Sequence, residues 1–342
     1  MAAEDVSLSD KLRFLAAPDA YAPRPAAVET IETHMSYVFL AGARAYKLKK
    51  PVRYPFLDFS TLRARARTCR EELRLNRRLA PDVYLGVLPL TLEDGRLALG
   101  GSGVVVDWLV EMRRLPRENM LDRVIVESRT GEAPLDALCH TLAQFYRRAT
   151  RTTMTPADYV SRFFSEMEIN RTVLTRNDFE HRAQAARLLD RLDARLAASR
   201  ATLEARAREG HVVDGHGDLR PEHICLTAPI VIFDCLEFNE ALRQVDPFDE
   251  IALLGVECAQ LGAPELFIRF AEGLAARLEN PAPLSLVTLY GAWRAALRAR
   301  ISLAHLLEPA PRTPAKWSPL ARRYLVIAEH LLVEDGRGFL RS

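Results

Sequence analysis

The sequence predicts an α+β protein in two parts, a small antiparallel sheet with one main helix and then a larger, mostly helical part. Three observations carry this. Strand-like alternation punctuated by turn residues fills residues 27 to about 115. Helix-period apolar patterning fills most of the chain after Leu115-Pro116. A polar His-Gly-Asp loop followed by a short apolar run interrupts the helical pattern at 216–234.

Residues 1–26 read as a lead-in, with a short helix over 9–15 and then a Pro/Ala-rich stretch. Residues 27–115 form the sheet part. Strands are expected at 28–33, 36–41 and 44–50, with Gly42 in the intervening turn. Residues 51–60 read as a connector. Ser60 or Asp58 can cap a helix running to about Leu79, with Leu62, Ala66, Cys69, Leu73 and Ala80 close to helical spacing. A strand from Tyr84 leads to a hairpin turning at Asp94-Gly95, which closes into 104–112. Gly100, Gly101 and Gly103 miss the GxGxxG spacing and read as a hairpin loop. Residues 116–342 form the helical part, with helices near 119–127, 133–150, 156–173 and 178–208. Further helices follow near 248–263, 264–278, 283–308 and 317–335.

Composition narrows the function classes. With 49% hydrophobic and 27% charged residues, the 342-residue chain is of ordinary globular type. A net charge of +2 gives no electrostatic case for a nucleic-acid or membrane partner. The arginines from Arg63 to Arg78 crowd one predicted helix, as a solvated face would or as a contact for an anionic partner would. Five scattered cysteines without a CxxC pair speak against a disulfide framework or zinc site. The acidic first residues do not read as a signal peptide, so a cytoplasmic protein is expected.

Residues 216–239 read HGDLRPEHICLTAPIVIFDCLEFN. Asp218 and Asp234 lie 16 residues apart (234 − 218), a separation that suits a loop, a short hairpin and a return strand. That geometry can aim both carboxylates at one point, one for a substrate hydroxyl and one for a metal ion. Phosphoryl transfer from a nucleotide uses this division of labour.

HGDLRPEHI followed by FDCLEF resembles the catalytic and metal-binding loops of the aminoglycoside phosphotransferase-like families, which have the two-lobed protein-kinase-like fold. The similarity is to an uncharacterised bacterial branch, some of whose members carry a further P-loop kinase-like domain. GxxxxGK[ST] does not occur in these 342 residues. The resemblance implies an ATP- or GTP-dependent kinase that phosphorylates a hydroxyl of a small molecule with Mg²⁺ or Mn²⁺. Asp218 is then the base or the residue that orients the acceptor, with His216 bracing the loop. Arg220 either neutralises the γ-phosphate or pairs locally. Asp234 is the metal ligand. His223 stands where the family has Asn, and imidazole replaces an amide oxygen poorly around a hard cation. A softer metal, a one-metal mechanism and lost activity all stay open, as does an alternative reading as a nucleotide-binding regulatory module.

On the strand RAYKLKKPV, alternation puts Lys47 and Lys49 on one face, and the resemblance makes Lys49 the preferred phosphate ligand with Lys47 in reserve. Glu72 is its implied partner on the following helix. Adenine is expected against the backbone at Glu111, Met112 and Arg113, and the Ser36 hydroxyl over the phosphates. DPFDEIA places Asp246 and Asp249 at a helix start, where Asp249 is expected to hydrogen-bond to the catalytic loop. Arg294 and Arg298 share a helix face and fit either an anion-binding clamp on the acceptor side or buried pairing to acids. Glu237 supplies a competing, cation-seeking picture of the acceptor.

Overall fold

The computed structural model describes residues 6–54, 57–308, 311 and 313–333. The chain divides into two units. One holds Met1–Arg117 with Val231–Glu240, and the other holds Glu118–Ile230 with Ala241–Ser342.

In the first unit, α1 (Leu8–Leu15) starts at Ser7, whose hydroxyl accepts from the Asp10 amide. Three strands follow, β1 (Val28–Glu32), β2 (Ser36–Ala41) and β3 (Arg44–Lys49). Within the predicted connector lie two short paired strands, β4 (Arg53–Tyr54) and β5 (Leu57–Asp58). The main helix α2 (Leu62–Asn76) is capped by Thr61, which accepts from Ala64. Neither expected cap serves it, because Asp58 instead accepts the Ser60 amide at 2.9 Å. Then come β6 (Tyr84–Glu93), β7 (Arg96–Leu99) and β8 (Val104–Arg113). Asp94 and Gly95 both have positive φ, as a tight hairpin turn requires.

The six strands order as β1-β2-β3-β8-β6-β7 with every neighbouring pair antiparallel. Strand alternation sorts the side chains. Tyr46, Leu48, Phe39, Leu90 and Leu109 pack on one face with Leu15 of α1. Ala45, Tyr84 and Val110 pack on the other with Cys69 of α2. Several arginines on and just after α2 are engaged rather than solvated. Arg65 is buried on Asp107 at 2.7 Å, Arg77 donates to the Tyr84 carbonyl at 2.9 Å, and Arg70 lies over the Trp108 ring. Residues 231–240 begin with β11 (Val231–Ile232) and are stitched into this unit. The Cys235 amide donates to Asn76 at 2.8 Å, and the Asp234 amide to the Tyr84 hydroxyl at 3.2 Å.

The second unit is helical. It begins with α3 (Leu121–Val126), α4 (Glu132–Arg148) and α5 (Pro156–Leu174). The predicted helix over 178–208 is two helices, α6 (Arg182–Ala198) and α7 (Arg200–Arg208), separated at Ser199. Short strands β9 (Val213–Asp214) and β12 (Gln244–Val245) pair beside the motif, and β10 (Ile224–Cys225) lies within it. The chain then forms α8 (Pro247–Gln260), α9 (Glu265–Ala275), α10 (Leu284–Ala304) and α11 (Pro314–Val333). Every residue of α8 from Pro247 to Cys258 is buried, so this helix is the centre of the unit.

Close approach of α9 to α8 depends on Gly255. A Cβ there would lie 2.8 Å from the Phe267 Cα, a backbone atom that cannot swing aside. Gly255→Ala is therefore expected to cost about 1–3 kcal/mol by overpacking. Urea unfolding reads this as a lowered midpoint, and an unchanged midpoint would contradict the packing described. No helix among the described residues is long and apolar enough to cross a membrane.

Candidate active site: two carboxylate-centred clusters

In the first unit, β3 presents Lys47 and Lys49 on the face that meets α2, and both reach the same carboxylate. Lys47 Nζ is 2.9 Å from Glu72 Oε1, and Lys49 Nζ donates to Glu72 Oε2 at 2.6 Å. Lys47 also donates to Asp234 Oδ1 at 2.5 Å, and Lys49 to Glu237 Oε1. Two ammonium groups thus sit among three carboxylates in a largely buried space. Lys49 is 1% exposed and Glu72 fully buried.

Burial opposes the charge of Lys47, but Asp234 and Glu72 outweigh it and hold its pKa well above the ordinary value. Glu72 is lowered: burial pushes its carboxyl up, and the two lysines pull it further down. Glu237 goes the other way. Burial raises it more than Lys49 can offset, and Glu72 adds a like charge. Asp234 has φ of +61°, in the left-handed region that Asp tolerates better than most residues. Such strain, of order 1–3 kcal/mol, collects at functional positions.

The two lysines differ in their surroundings. Lys47 is the one that contacts Asp234, whereas Lys49 is closed off by Glu72 and Glu237. Glu237 belongs to this lysine cluster and not to an acceptor pocket. Ser36 is 2% exposed, so its hydroxyl is not presented to solvent. Glu111, Met112 and Arg113 lie inside the sheet. Glu111 and Met112 pair with β3 on one side and β6 on the other. Arg113 pairs with Arg44 and donates its amide to Val83 at 2.9 Å. Glu111 and Met112 therefore lie within the ladder, and Arg113 is its last residue.

In the second unit, the His-Gly-Asp loop is held from below by a residue that sequence reasoning missed. Glu250, in the first turn of α8, accepts the His216 amide at 3.0 Å and the Gly217 amide at 2.5 Å. The Tyr146 hydroxyl donates to the same carboxylate at 2.7 Å. This was the task expected of Asp249, which instead forms a buried fork with Arg294 at 2.6 and 2.7 Å. Arg294 is thereby committed to Asp249 and is not a clamp for an acceptor. Asp246 caps α8 through the Phe248 amide at 2.9 Å and pairs with Arg206 at 2.6 Å. Glu250→Ala would take this acceptor from the buried His216 amide, at about 1–3 kcal/mol, and from the half-buried Gly217 amide at less. Hydrogen exchange at the His216 and Gly217 amides is expected to speed up, and unchanged exchange would contradict the assignment.

Around Asp218 the loop folds back on itself. His216, fully buried, accepts the Asp218 amide on Nδ1 at 3.3 Å. His223 Nδ1 lies 2.8 Å from the Asp218 carbonyl oxygen, and its Nε2 lies 3.4 Å from an Arg220 nitrogen. A guanidinium at that ring nitrogen is the wrong neighbour for a metal ion, so the geometry of His223 is that of a loop brace. Arg220 Nε is 3.1 Å from Asp218 Oδ2, and its Nη1 is 2.9 Å from Glu222. Burial pushes the Asp218 carboxyl up, but Arg220, His223, Arg298 and His216 together hold it below its ordinary value. Among the described residues no group of three or more His, Cys, Asp or Glu is arranged to hold a metal by itself. All five cysteines, Cys225 and Cys235 included, are buried and none forms a disulfide.

No protein-family model matches the chain. It is 34% identical over 312 residues to uncharacterised proteins of Mycobacterium tuberculosis and Mycobacterium bovis. That alignment covers 89% of this chain and 60% of theirs, so the chain spans less than two thirds of the length of these relatives. Among solved structures, a choline/ethanolamine kinase family protein from Mesorhizobium loti superposes with a TM-score of 0.57 at 16% identity, over 98% of this chain and 97% of that one. A thermostable mutant of an aminoglycoside phosphotransferase gives 0.55 at 14% identity, covering 94% and 97%. A glucosamine kinase in complex with glucosamine, ADP and inorganic phosphate gives 0.53 at 14% identity, covering 94% and 83%. The chain has the two-lobed protein-kinase-like fold that these proteins share.

Proposed function

We propose that the chain is a nucleotide-dependent phosphotransferase of the aminoglycoside phosphotransferase-like group, acting in the cytoplasm on a hydroxyl of a small molecule. The observation that carries this reading is the joining of Lys47, Glu72 and Asp234, which lie far apart in sequence, in one cluster. A strand lysine fixed by a helix glutamate is what neutralises nucleotide phosphates in this fold. The solved glucosamine kinase with ADP supports a nucleotide as ligand.

In this reading Lys47 is the phosphate ligand, and Glu72 fixes its position through a shared bond with Lys49. Asp234 would hold Mg²⁺ together with the nucleotide's own oxygens, and its carboxylate is the hard donor such a cation prefers. The ion would neutralise charge on the transferring phosphate. Asp218 receives the acceptor hydroxyl and, being ionised, orients it for in-line attack without a phosphoenzyme. His216 and His223 hold the loop that carries Asp218. Arg220 stabilises charge beside it.

A second reading, a nucleotide-binding regulatory module, is favoured by one feature. His223 offers no oxygen for a second metal, and its ring faces Arg220. Nucleotide binding is common to both readings and is tested first. Lys47→Met and Asp234→Asn are each expected to weaken Mg²⁺–ATP binding by about 10-fold or more, since each removes a charge-assisted contact. Calorimetry checks this, with GTP as the competing donor. Affinity unchanged in both variants would overturn the assignment of this cluster to the nucleotide.

A further inference from the structure

The charged groups around Asp218 come in opposed pairs, and their accounting leaves one side over. Glu222 is engaged by Arg220 at 2.9 Å. Glu257, on α8, is engaged three times. Arg298 of α10 donates its Nε at 2.6 Å, and the Tyr324 hydroxyl of α11 reaches both carboxylate oxygens at 2.9 and 3.0 Å. Burial also raises the Glu257 carboxyl, which weakens it further as a partner for an incoming cation. Neither acid is left to hold an ammonium group.

Arg298 is in the opposite position. Its side chain bonds Glu257 through Nε and also the Tyr324 hydroxyl, which still leaves most of the five N–H donors of a guanidinium without a side-chain partner among the described residues. Its side chain is only 19% exposed, braced over the Tyr324 ring at 5.7 Å, so water has limited access to the remaining donors. It also stands near enough to Asp218 to help hold that carboxyl ionised. A partly dehydrated guanidinium with unspent donors is stabilised by an oxyanion, best by a two-oxygen one that matches its fork.

We propose that the acceptor is an anionic alcohol, whose hydroxyl is taken by Asp218 and whose carboxylate or phosphate group is taken by Arg298. The inference rests on the phosphotransferase reading above and names its substrate class. It sets this chain apart from its fold neighbours named for choline, ethanolamine or glucosamine, all amine-bearing compounds. Glu257 and Tyr324 are positioning residues here, holding the Arg298 guanidinium in place and leaving its remaining N–H groups for the substrate.

The test is calorimetric titration of the full chain, saturated with Mg²⁺ and a non-hydrolysable ATP analogue, at fixed ionic strength. D-glycerate, glycerol 3-phosphate and ethanolamine are the probes, the first two separating carboxylate from phosphate. Binding of at least one anion, and not of ethanolamine, is expected. Arg298→Met should weaken that binding about 10-fold or more, and Arg298→Lys should recover part of it, with analogue affinity unchanged in both. Retention of analogue affinity also shows that the variants are folded. Binding of ethanolamine, binding of none of the probes, or anion binding indifferent to Arg298→Met would each overturn the proposal. Those outcomes leave the phosphotransferase reading standing, whereas failure of the wild-type chain to bind the analogue would sink that reading instead.

Discussion

Asp218→Asn is expected to lower phosphoryl transfer by about 10²–10⁴-fold, the span that a positioned general base contributes, with nucleotide affinity nearly unchanged. The replacement keeps the shape and removes the charge that orients the hydroxyl. Because the flanking cations hold Asp218 below the ordinary carboxylate value of about 4, it is already ionised in mild acid. The turnover profile should therefore show no acid limb from this residue between about pH 5 and 8. The stability sign follows from the same depression. A carboxyl lowered in the folded state contributes stability that is present above its unfolded pKa and is lost as pH falls through the folded one. The difference in urea midpoint between wild type and Asp218→Asn should shrink as pH drops below about 4. A difference that grows in acid would show that Asp218 is raised, not lowered.

Glu72→Gln is expected to be the most damaging single change in the first unit, at about 3–5 kcal/mol, because it leaves buried charge uncompensated. Glu72 is the one carboxylate shared by Lys47 and Lys49. Without it, two ammonium groups face each other across Asp234 and Glu237 with no common counter-charge. Nucleotide affinity should fall with stability, since Lys47 loses its fixed position. Lys47→Met, by contrast, removes one charge from a cluster that keeps the Lys49–Glu72 bond, and should cost less stability for a similar loss of nucleotide binding. Denaturant unfolding of the two variants separates these effects. Equal stability of Glu72→Gln and wild type would mean that the cluster is solvated.

Periodicity made much of this legible in advance. A period of two put Lys47 and Lys49 on one face, and both do reach Glu72. Apolar spacing placed α2, α4, α5 and α8 to within a few residues. The misses share a cause, which is that the deciding partner lies far along the chain. Asp249 and Glu250 are adjacent acids on the first turn of one helix, about 100° apart around its axis. Which of them meets the catalytic loop depends on Arg294 taking the other, and that pairing spans 45 residues. The sequence suggests Glu237 as an acceptor-side acid because nothing local reveals that Lys49, 188 residues away in sequence, ends beside it. The 111–113 backbone is expected to meet adenine from the topology of the resembling family alone, since backbone contacts leave no side-chain signature; β8 runs to Arg113, with Glu111 and Met112 paired to strands on both sides. The α2 cap moved for a local reason: Asp58 is occupied by Ser60, which leaves Thr61 to accept the free amide.

Steady-state release of ADP from ATP by the full chain, with Mg²⁺ and then Mn²⁺, decides whether it transfers phosphate. The acceptor panel should hold hydroxy acids, sugar phosphates, neutral sugars and amino alcohols, with Asp218→Ala as the control. ADP release that depends on an acceptor and disappears in Asp218→Ala is the predicted result. Nucleotide bound tightly but never turned over, with either metal and every acceptor, would contradict it and leave a regulatory nucleotide-binding module in its place.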